Sequence, residues 1–246
     1  MDYSTIIYSH NEHIADITLN RPEVDNVISA ELALELAEVC QRINQDDNIY
    51  VVVITGAGDK AFCAGSEAGL LASSVATVVA GIDRPVIAAI NGDALGQGLE
   101  LALSCDIRIA AVQARLGLPQ VASGLIPGDG GTQRLPRIVG KGKALELILT
   151  AQIISAEEAR EMGLVSKVVP RQNLLAEAEA LAGMIASKAP IALRYSKEAV
   201  NKGMDLTLEQ GLHLEADLYF LLHTTADRTE GIRAFLEKKP PHFKQQ

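Results

Sequence analysis

Apolar and polar positions alternate in short blocks through the first two thirds of the chain, then settle into helical spacing towards the end. Ile6–Tyr8 and Ile14–Leu19 read as short strands around the turn-like pair Asn11-Glu12. Arg21-Pro22-Glu23-Val24-Asp25-Asn26 interrupts the pattern. Ser29 then offers an N-cap for a helix running to about Asn44, with Leu32, Leu36, Val39 and Ile43 along one face. Val51–Thr55, Pro85–Ile90 and Ile107–Ala110 are continuous β-type runs of the kind buried on both faces. Leu70–Ala80 and Gly98–Ser104 between them read as helices, so short strands feed helices in an α/β core.

Beyond Gly140 the character changes. Lys143–Leu149, Ala156–Met162, Leu174–Lys188, Ala192–Lys202 and Leu206–Thr224 carry helical spacing, and Leu164–Val169 is the single strand-like run there. No internal repeat or linker separates the two parts. The chain therefore divides into a core over 1–190 and a helical region over 191–246, forming one functional unit in which the helical end packs on the core and offers an association surface.

Composition narrows the function classes. The 246 residues hold 22 Lys plus Arg against 31 Asp plus Glu, a net charge of −9, and 48% are hydrophobic. That is enough apolar side chain for a sizeable core. An acidic chain repels nucleic acid and anionic membranes, so a polyanionic ligand has to find a local positive pocket. Cys40, Cys63 and Cys105 are odd in number and contain no CxxC pair, which argues against a disulfide framework or a structural zinc site. The five histidines (10, 13, 213, 223 and 242) lack metal-ligand spacing. Met1-Asp2-Tyr3-Ser4 does not open a signal peptide, and no apolar run reaches the roughly 18 residues of a membrane span. These features point to a cytoplasmic protein.

Among nucleotide and nucleophile motifs, only Gly56-Ala57-Gly58-Asp59-Lys60-Ala61 fits a pattern, the relaxed dinucleotide fingerprint GxGxxA. Phe62-Cys63-Ala64-Gly65 follows, which is no helix start, so a glycine-rich turn is the better reading. There is no GxxxxGK[ST] and no GxSxG.

Chemistry-bearing residues concentrate between 61 and 137. The segments are Ala61-Phe62-Cys63-Ala64-Gly65-Ser66, then Asn91-Gly92-Asp93-Ala94-Leu95-Gly96-Gln97-Gly98-Leu99-Glu100-Leu101, then Leu118-Pro119-Gln120 with Gly124–Arg137. The first two are glycine-rich exits from strands, where backbone N–H groups can face a cavity without a β-carbon in the way. Gly96 and Gly98 also stand where a helix begins and its dipole is positive. Taken alone the glycines allow two readings, tight turns or paired amide donors to an enolate oxygen.

These segments resemble the crotonase family, the enoyl-CoA hydratase/isomerase superfamily. The similarity begins at Leu19-Asn20-Arg21-Pro22 and Asn26 and continues through the three segments. It reaches Ile154-Ser155-Ala156-Glu157-Glu158-Ala159 and Gly163-Leu164-Val165, and closes on Glu230-Gly231 and Ala234-Phe235-Leu236-Glu237-Lys238-Lys239-Pro240. The resemblance implies a spiral of ββα turns, a C-terminal helical trimerisation region, and a homo-trimer or a hexamer built as a dimer of trimers. It implies acyl-CoA thioester substrates, with coenzyme A as part of the substrate and no tightly bound cofactor or metal. It carries the two oxyanion amides onto Ser66 and Gln97. The first of the family's two hydratase glutamates falls on Glu100 and the second on Gln120. Arg21, Val24, Ala64 and Ser66 become CoA contacts, joined by Lys238 and Lys239, and Lys244, of a tail that reaches CoA, often from a neighbouring subunit.

The glutamine at 120 is the departure with the most chemistry in it. A glutamine amide can orient a water but cannot cycle a proton near neutral pH, whereas a carboxylate pair can do both. Glu100 alone can still move one proton between carbons, which is all that double-bond isomerisation requires. Gln97 puts a side chain in the middle of the usual glycine triplet, and the short stretch between Gly65 and Pro85 should alter acyl-chain selectivity. Three functions are thus in competition: an enoyl-CoA hydratase-type lyase, which the whole-chain resemblance favours; a one-base isomerase or another enolate-forming decarboxylase or hydrolase; and a weakly catalytic CoA-binding subunit or RNA binder. The acidic balance argues against RNA.

Overall fold

The structure is a computed structural model that describes residues 3–67 and 74–243. Strands β1 (Ile6–Asn11) and β2 (Ile14–Leu19) form an antiparallel hairpin. Helix α1 (Ala30–Gln45) follows, its first turn closed by the Ser29 side chain, which accepts a hydrogen bond from the Leu32 amide at 3.1 Å. The helix buries Leu32, Leu36, Val39, Cys40 and Ile43.

Three turns of a spiral come next, each made of a long strand, a three-residue strand and a helix. They are β3 (Val51–Gly56), β4 (Ala61–Cys63) and α2 (Val75–Ala80); β5 (Val86–Ile90), β6 (Asp93–Leu95) and α3 (Gln97–Ser104); and β7 (Ile107–Ala111), β8 (Arg115–Gly117) and α4 (Gly131–Val139). Of the helix expected over Leu70–Ala80, residues 70–73 lie outside the described residues, as does Lys244. The chain continues through α5 (Lys141–Thr150), β9 (Ile153–Ser155), α6 (Ala156–Glu161), β10 (Lys167–Val169) and α7 (Leu174–Ala186).

The long strands form a six-stranded sheet in the order β1-β2-β3-β5-β7-β10, parallel except for the first pair. The short strands form a second sheet, β4-β6-β8-β9, parallel except for the last pair. Strand β3 shows why its sequence is β-branched throughout: Val52 and Ile54 enter one apolar cluster, with α1, α2 and α3, while Val51 and Val53 enter a second against α7.

Two buried amides pin the corners of the spiral. Asn26 Nδ2 donates to the carbonyls of Ala57 and Ala61, each at 2.9 Å. Asn91 Oδ1 accepts from the Gly56 amide at 3.0 Å, and its Nδ2 donates to Gly58 O and Ala61 O. Residues 56–61, the GxGxxA match, are therefore a tight corner leading into β4 and not a helix opening. The strand expected over Leu164–Val169 is confined to β10, because Leu164 and Val165 are buried side chains of the turn after α6.

The last helices are α8 (Pro190–Gly203), α9 (Leu208–Leu222) and α10 (Ala226–Glu237). Lys197 Nζ ties α8 to the core through Asp106 at 2.7 Å and the Arg84 carbonyl at 2.8 Å, and Arg194 pairs with Asp83. Helix α9 packs on α8. This region leaves Leu208, Phe220, Phe235 and Leu236 at 80%, 68%, 82% and 73% exposure. No helix among the described residues is long and apolar enough to cross a membrane.

Candidate active site

Strands β4 and β6 are parallel neighbours, so their C-terminal exits emerge side by side. The first exit carries Ala64-Gly65-Ser66, and the second carries Gly96 and the start of α3 at Gln97. A β-carbon placed on Gly96 would stand 4.0 Å from Gly65 Cα, which measures how closely the two exits approach. Gly96 has φ 54° and ψ −125°, a backbone shape that a side chain would oppose. It lets the chain leave β6 and enter α3 without a connecting loop.

The orientation of Ser66 follows from its neighbours. Ile28 donates its amide to Gly65 O and accepts from Glu67 N at its carbonyl, both at 2.9 Å. Successive amides of an extended chain alternate in direction, so the Ser66 N–H faces away from Ile28. Gln97 is the first residue of α3, at the helix end where amides project outward and the dipole is positive.

Glu100 lies one turn along α3 from Gln97 and is 1% exposed. Its Oε1 accepts from the backbone amides of Asp129 at 2.7 Å and Gly131 at 2.8 Å. Its Oε2 accepts from Gln120 Nε2 at 3.1 Å. Burial raises the carboxyl pKa above the ordinary glutamate range, and the charge of Asp129 adds to the effect, while the amides of Gly131, Asp129 and Gly128 pull it back. A β-carbon on Gly131 would lie 3.0 Å from Glu100 Oε1, so the glycine at the head of α4 leaves room for the carboxylate.

Gln120 sits in a short 3-10 turn, Pro119–Ser123, that follows β8. A β-carbon on Gly96 would come within 3.7 Å of its Nε2, which puts the amide beside the glycine exits. Its Oε1 is buried and finds no partner among the described residues. Ser66, Gln97, Glu100 and Gln120 are thus drawn from three turns of the spiral to one place.

Arg21, Val24, Ala64 and Ser66 also converge. Arg21 Nη1 donates to Val27 O at 2.7 Å and its Nη2 to Glu67 at 2.8 Å, beside Ser66. The Ala64 amide donates to Asp25 O at 3.1 Å, and Val24 is 41% exposed on the same loop. Lys238 and Lys239 are not brought to this group. They end α10, where their amides bond back to Phe235 and Ala234 and Lys239 pairs with Glu237 at 3.2 Å.

Asp129 is the residue that sequence reasoning missed. It is 5% exposed, and its Oδ2 accepts from the Ala76 amide of α2 at 2.8 Å and from Gln97 Nε2 at 3.2 Å. Nothing in the local run Pro127-Gly128-Asp129-Gly130-Gly131 singles out a buried carboxylate. The cysteines are free and buried, with thiols pushed up to about 12 by burial. No group of His, Cys, Asp or Glu among the described residues could hold a metal ion.

A spiral of ββα turns with glycine-rich exits above a buried carboxylate is the arrangement of a crotonase-type α/β protein, and comparison with known proteins agrees. The family described as enoyl-CoA hydratase/isomerase matches residues 9–246. The crystal structure of an enoyl-CoA hydratase from Bacillus anthracis superposes with a TM-score of 0.96 at 44% identity, covering 99% of this chain and 100% of that one. A crotonyl-CoA hydratase from Syntrophomonas wolfei is 42% identical, with 99% of each chain covered. A short-chain-enoyl-CoA hydratase from Clostridium acetobutylicum is 40% identical over 97% of each. The chain is an enzyme of the enoyl-CoA hydratase/isomerase family.

Proposed function

We propose that the enzyme adds water across the conjugated double bond of an enoyl-CoA, with Glu100 as the one group that cycles a proton. The observation that carries this reading is the buried Glu100 carboxylate, held by two main-chain amides beside the Gly65 and Gly96 exits. The Ser66 and Gln97 amides receive the thioester oxygen. Glu100 takes a proton from water as the water oxygen bonds to Cβ. The Cα=Cβ electron pair moves towards the thioester, and the carbonyl oxygen becomes an oxyanion held by the two amides. Glu100 then returns its proton to Cα, giving the 3-hydroxyacyl thioester with no net change in the enzyme. Gln120 spends its Nε2 on Glu100, so its buried Oε1 is left to accept an O–H of the attacking water.

Crotonyl-CoA tests this directly through loss of the enoyl-thioester absorbance. Rapid water addition supports the proposal and excludes a pure isomerase. A second reading, one-base double-bond isomerisation, is favoured by the same glutamine, since moving a double bond needs no second carboxylate. It would show as turnover of a 3-enoyl-CoA with no hydration of crotonyl-CoA.

Two measurable consequences follow. Gln120→Glu should raise the hydration rate, because a second carboxylate can share proton transfer; steady-state kcat on crotonyl-CoA reads this. Glu100 must be ionised to accept a proton and burial raises its pKa, so kcat/KM should fall on the acid side around a midpoint above the ordinary glutamate range. A pH profile with no such limb would count against Glu100 as base.

The CoA part is assigned to Arg21, Val24, Ala64 and Ser66, joined by Lys238 and Lys239 of a neighbouring subunit. This fits an α10 tail bonded within itself, and a homo-trimer or dimer of trimers formed through the exposed apolar side chains of α8–α10. Sedimentation at micromolar concentration tests it; a monomer with full activity would defeat the shared-site arrangement.

A further inference from the structure

Asp129 has no part in the proton transfers above, yet it is a buried carboxylate touching two elements of the site. Its Oδ2 is shared between the Ala76 amide on α2 and the Gln97 side chain on α3. Its own amide donates to Glu100 Oε1, and its carbonyl accepts from Arg134 Nη1 of α4 at 2.7 Å. One residue therefore spans α2, the first residue of α3, the carboxylate one turn further on, and the head of α4. Removing a buried acceptor leaves its donors unsatisfied at the cost of their desolvation, so losing this oxygen would release both the Ala76 amide and the Gln97 side chain. A buried polar group with several partners also settles one arrangement among the many that apolar packing alone would tolerate.

We propose that Asp129 is a positioning residue for the reaction: through its side chain it fixes Gln97, and through its main chain Glu100, so that the amide at 97 and the proton-carrying carboxylate are aligned as one unit. The proposal rests on the active-site reading above. It also accounts for the side chain at position 97, where glycine is usual in the family. The Gln97 amide is an anchor to Asp129, and the main-chain N–H of the same residue faces the thioester oxygen. Misplacement of reacting groups by about 1 Å can cost on the order of 100-fold in rate. Loosening Gln97 and the 128–131 loop should therefore lower turnover without weakening the hold on CoA, whose proposed contacts lie elsewhere.

The test uses α-proton exchange of butyryl-CoA in D2O, followed by proton NMR, together with crotonyl-CoA hydration. Exchange needs only Glu100 and the oxyanion donors. Glu100 takes the α-proton as the C–H electron pair forms the Cα=C bond and the carbonyl π pair moves onto oxygen. The carboxyl exchanges that proton with D2O, and Glu100 returns a deuteron to Cα as the carbonyl re-forms. Asp129→Ala should slow both reactions by about 10- to 100-fold in kcat with KM little changed. Asp129→Asn keeps an oxygen acceptor and should recover most of the loss. Gln97→Met keeps the main-chain amide but removes the side chain that Asp129 holds, so the losses in the Gln97→Met/Asp129→Ala double variant should be less than additive.

Thermal melts identify any variant that fails to fold, and then the Gln97→Met single variant and Asp129→Asn decide the matter. Wild-type kcat in Asp129→Ala, additive losses in the double variant, or an Asp129→Asn as slow as Asp129→Ala would overturn the proposal. A wild type that exchanges but does not hydrate would overturn the hydratase reading alone, and a wild type that does neither would overturn both.

Discussion

Glu100→Gln is expected to fold, to bind acyl-CoA with near wild-type affinity, and to lose about 10²- to 10⁴-fold in kcat, the range that a positioned acid–base group contributes. The substitution suits its site. Glutamine Oε1 can keep the amide hydrogen bonds from Asp129 and Gly131 that the carboxylate accepts now. The new NH2 group meets Gln120, whose amide can turn over and present Oε1, which has no partner among the described residues. The variant should also be more stable at neutral pH. Burial raises the folded-state pKa of Glu100, so folding is opposed by its ionisation, and the wild type loses stability as pH rises from the unfolded to the folded pKa. Below that window the two proteins should converge. Denaturant melts at neutral and acid pH measure this, and crotonyl-CoA turnover measures the loss of activity. Full activity in Glu100→Gln would remove the basis of the proposed mechanism.

Gly98→Ala should damage both stability and catalysis, although alanine is the better helix former. A β-carbon there would fall 1.9 Å from the Cys63 carbonyl oxygen and 2.6 Å from its carbon, so α3 would have to lift from β4. Overpacking of this kind costs about 1–3 kcal/mol, and for a domain of this size each kcal/mol lowers Tm by about 2–4 °C. Strand β4 leads to Ser66 and α3 begins at Gln97, so the same displacement pulls apart the two amides proposed to hold the oxyanion. A fall in kcat/KM of about 100-fold is expected. Melting and steady-state assays on the purified variant would show it, and a variant matching the wild type in both would mean that the two exits need not be in contact.

Legibility along the chain followed the regularity of each element's apolar pattern. Helix α1 was readable from Ser29 and a four-residue apolar stripe, and the buried strands β3, β5 and β7 from continuous β-branched runs. The second sheet was invisible, because three-residue strands such as β4 and β6 are too short to show a period of two. That sheet carries the exits bearing Ser66 and Gln97, so the part of the fold that builds the site is the part least visible in hydropathy. Helix α4 was obscured by its glycine-rich start and by Pro136 inside it. Helix α10 was missed as well, where polar and apolar residues alternate without a clean stripe.

Glu100 stood out as a charge inside the apolar run Leu99–Leu103, and its resemblance to a family glutamate gave it a role. What holds it did not stand out. Its amide donors are Asp129 and Gly131, about thirty positions away, and no local pattern links a glutamate to two backbone N–H groups at that distance. Asp129 looked like one more polar residue in a glycine turn. By itself the sequence determined the alternation of strands and helices, the family, and which residue types were present to do the chemistry. Tertiary structure decided which of them meet, that Glu100 is shut away from solvent, and that Asp129 joins it to Gln97. The reason is physical: hydropathy records each residue's preference for burial, whereas a carboxylate's surroundings are set by backbone groups brought together only when the spiral closes.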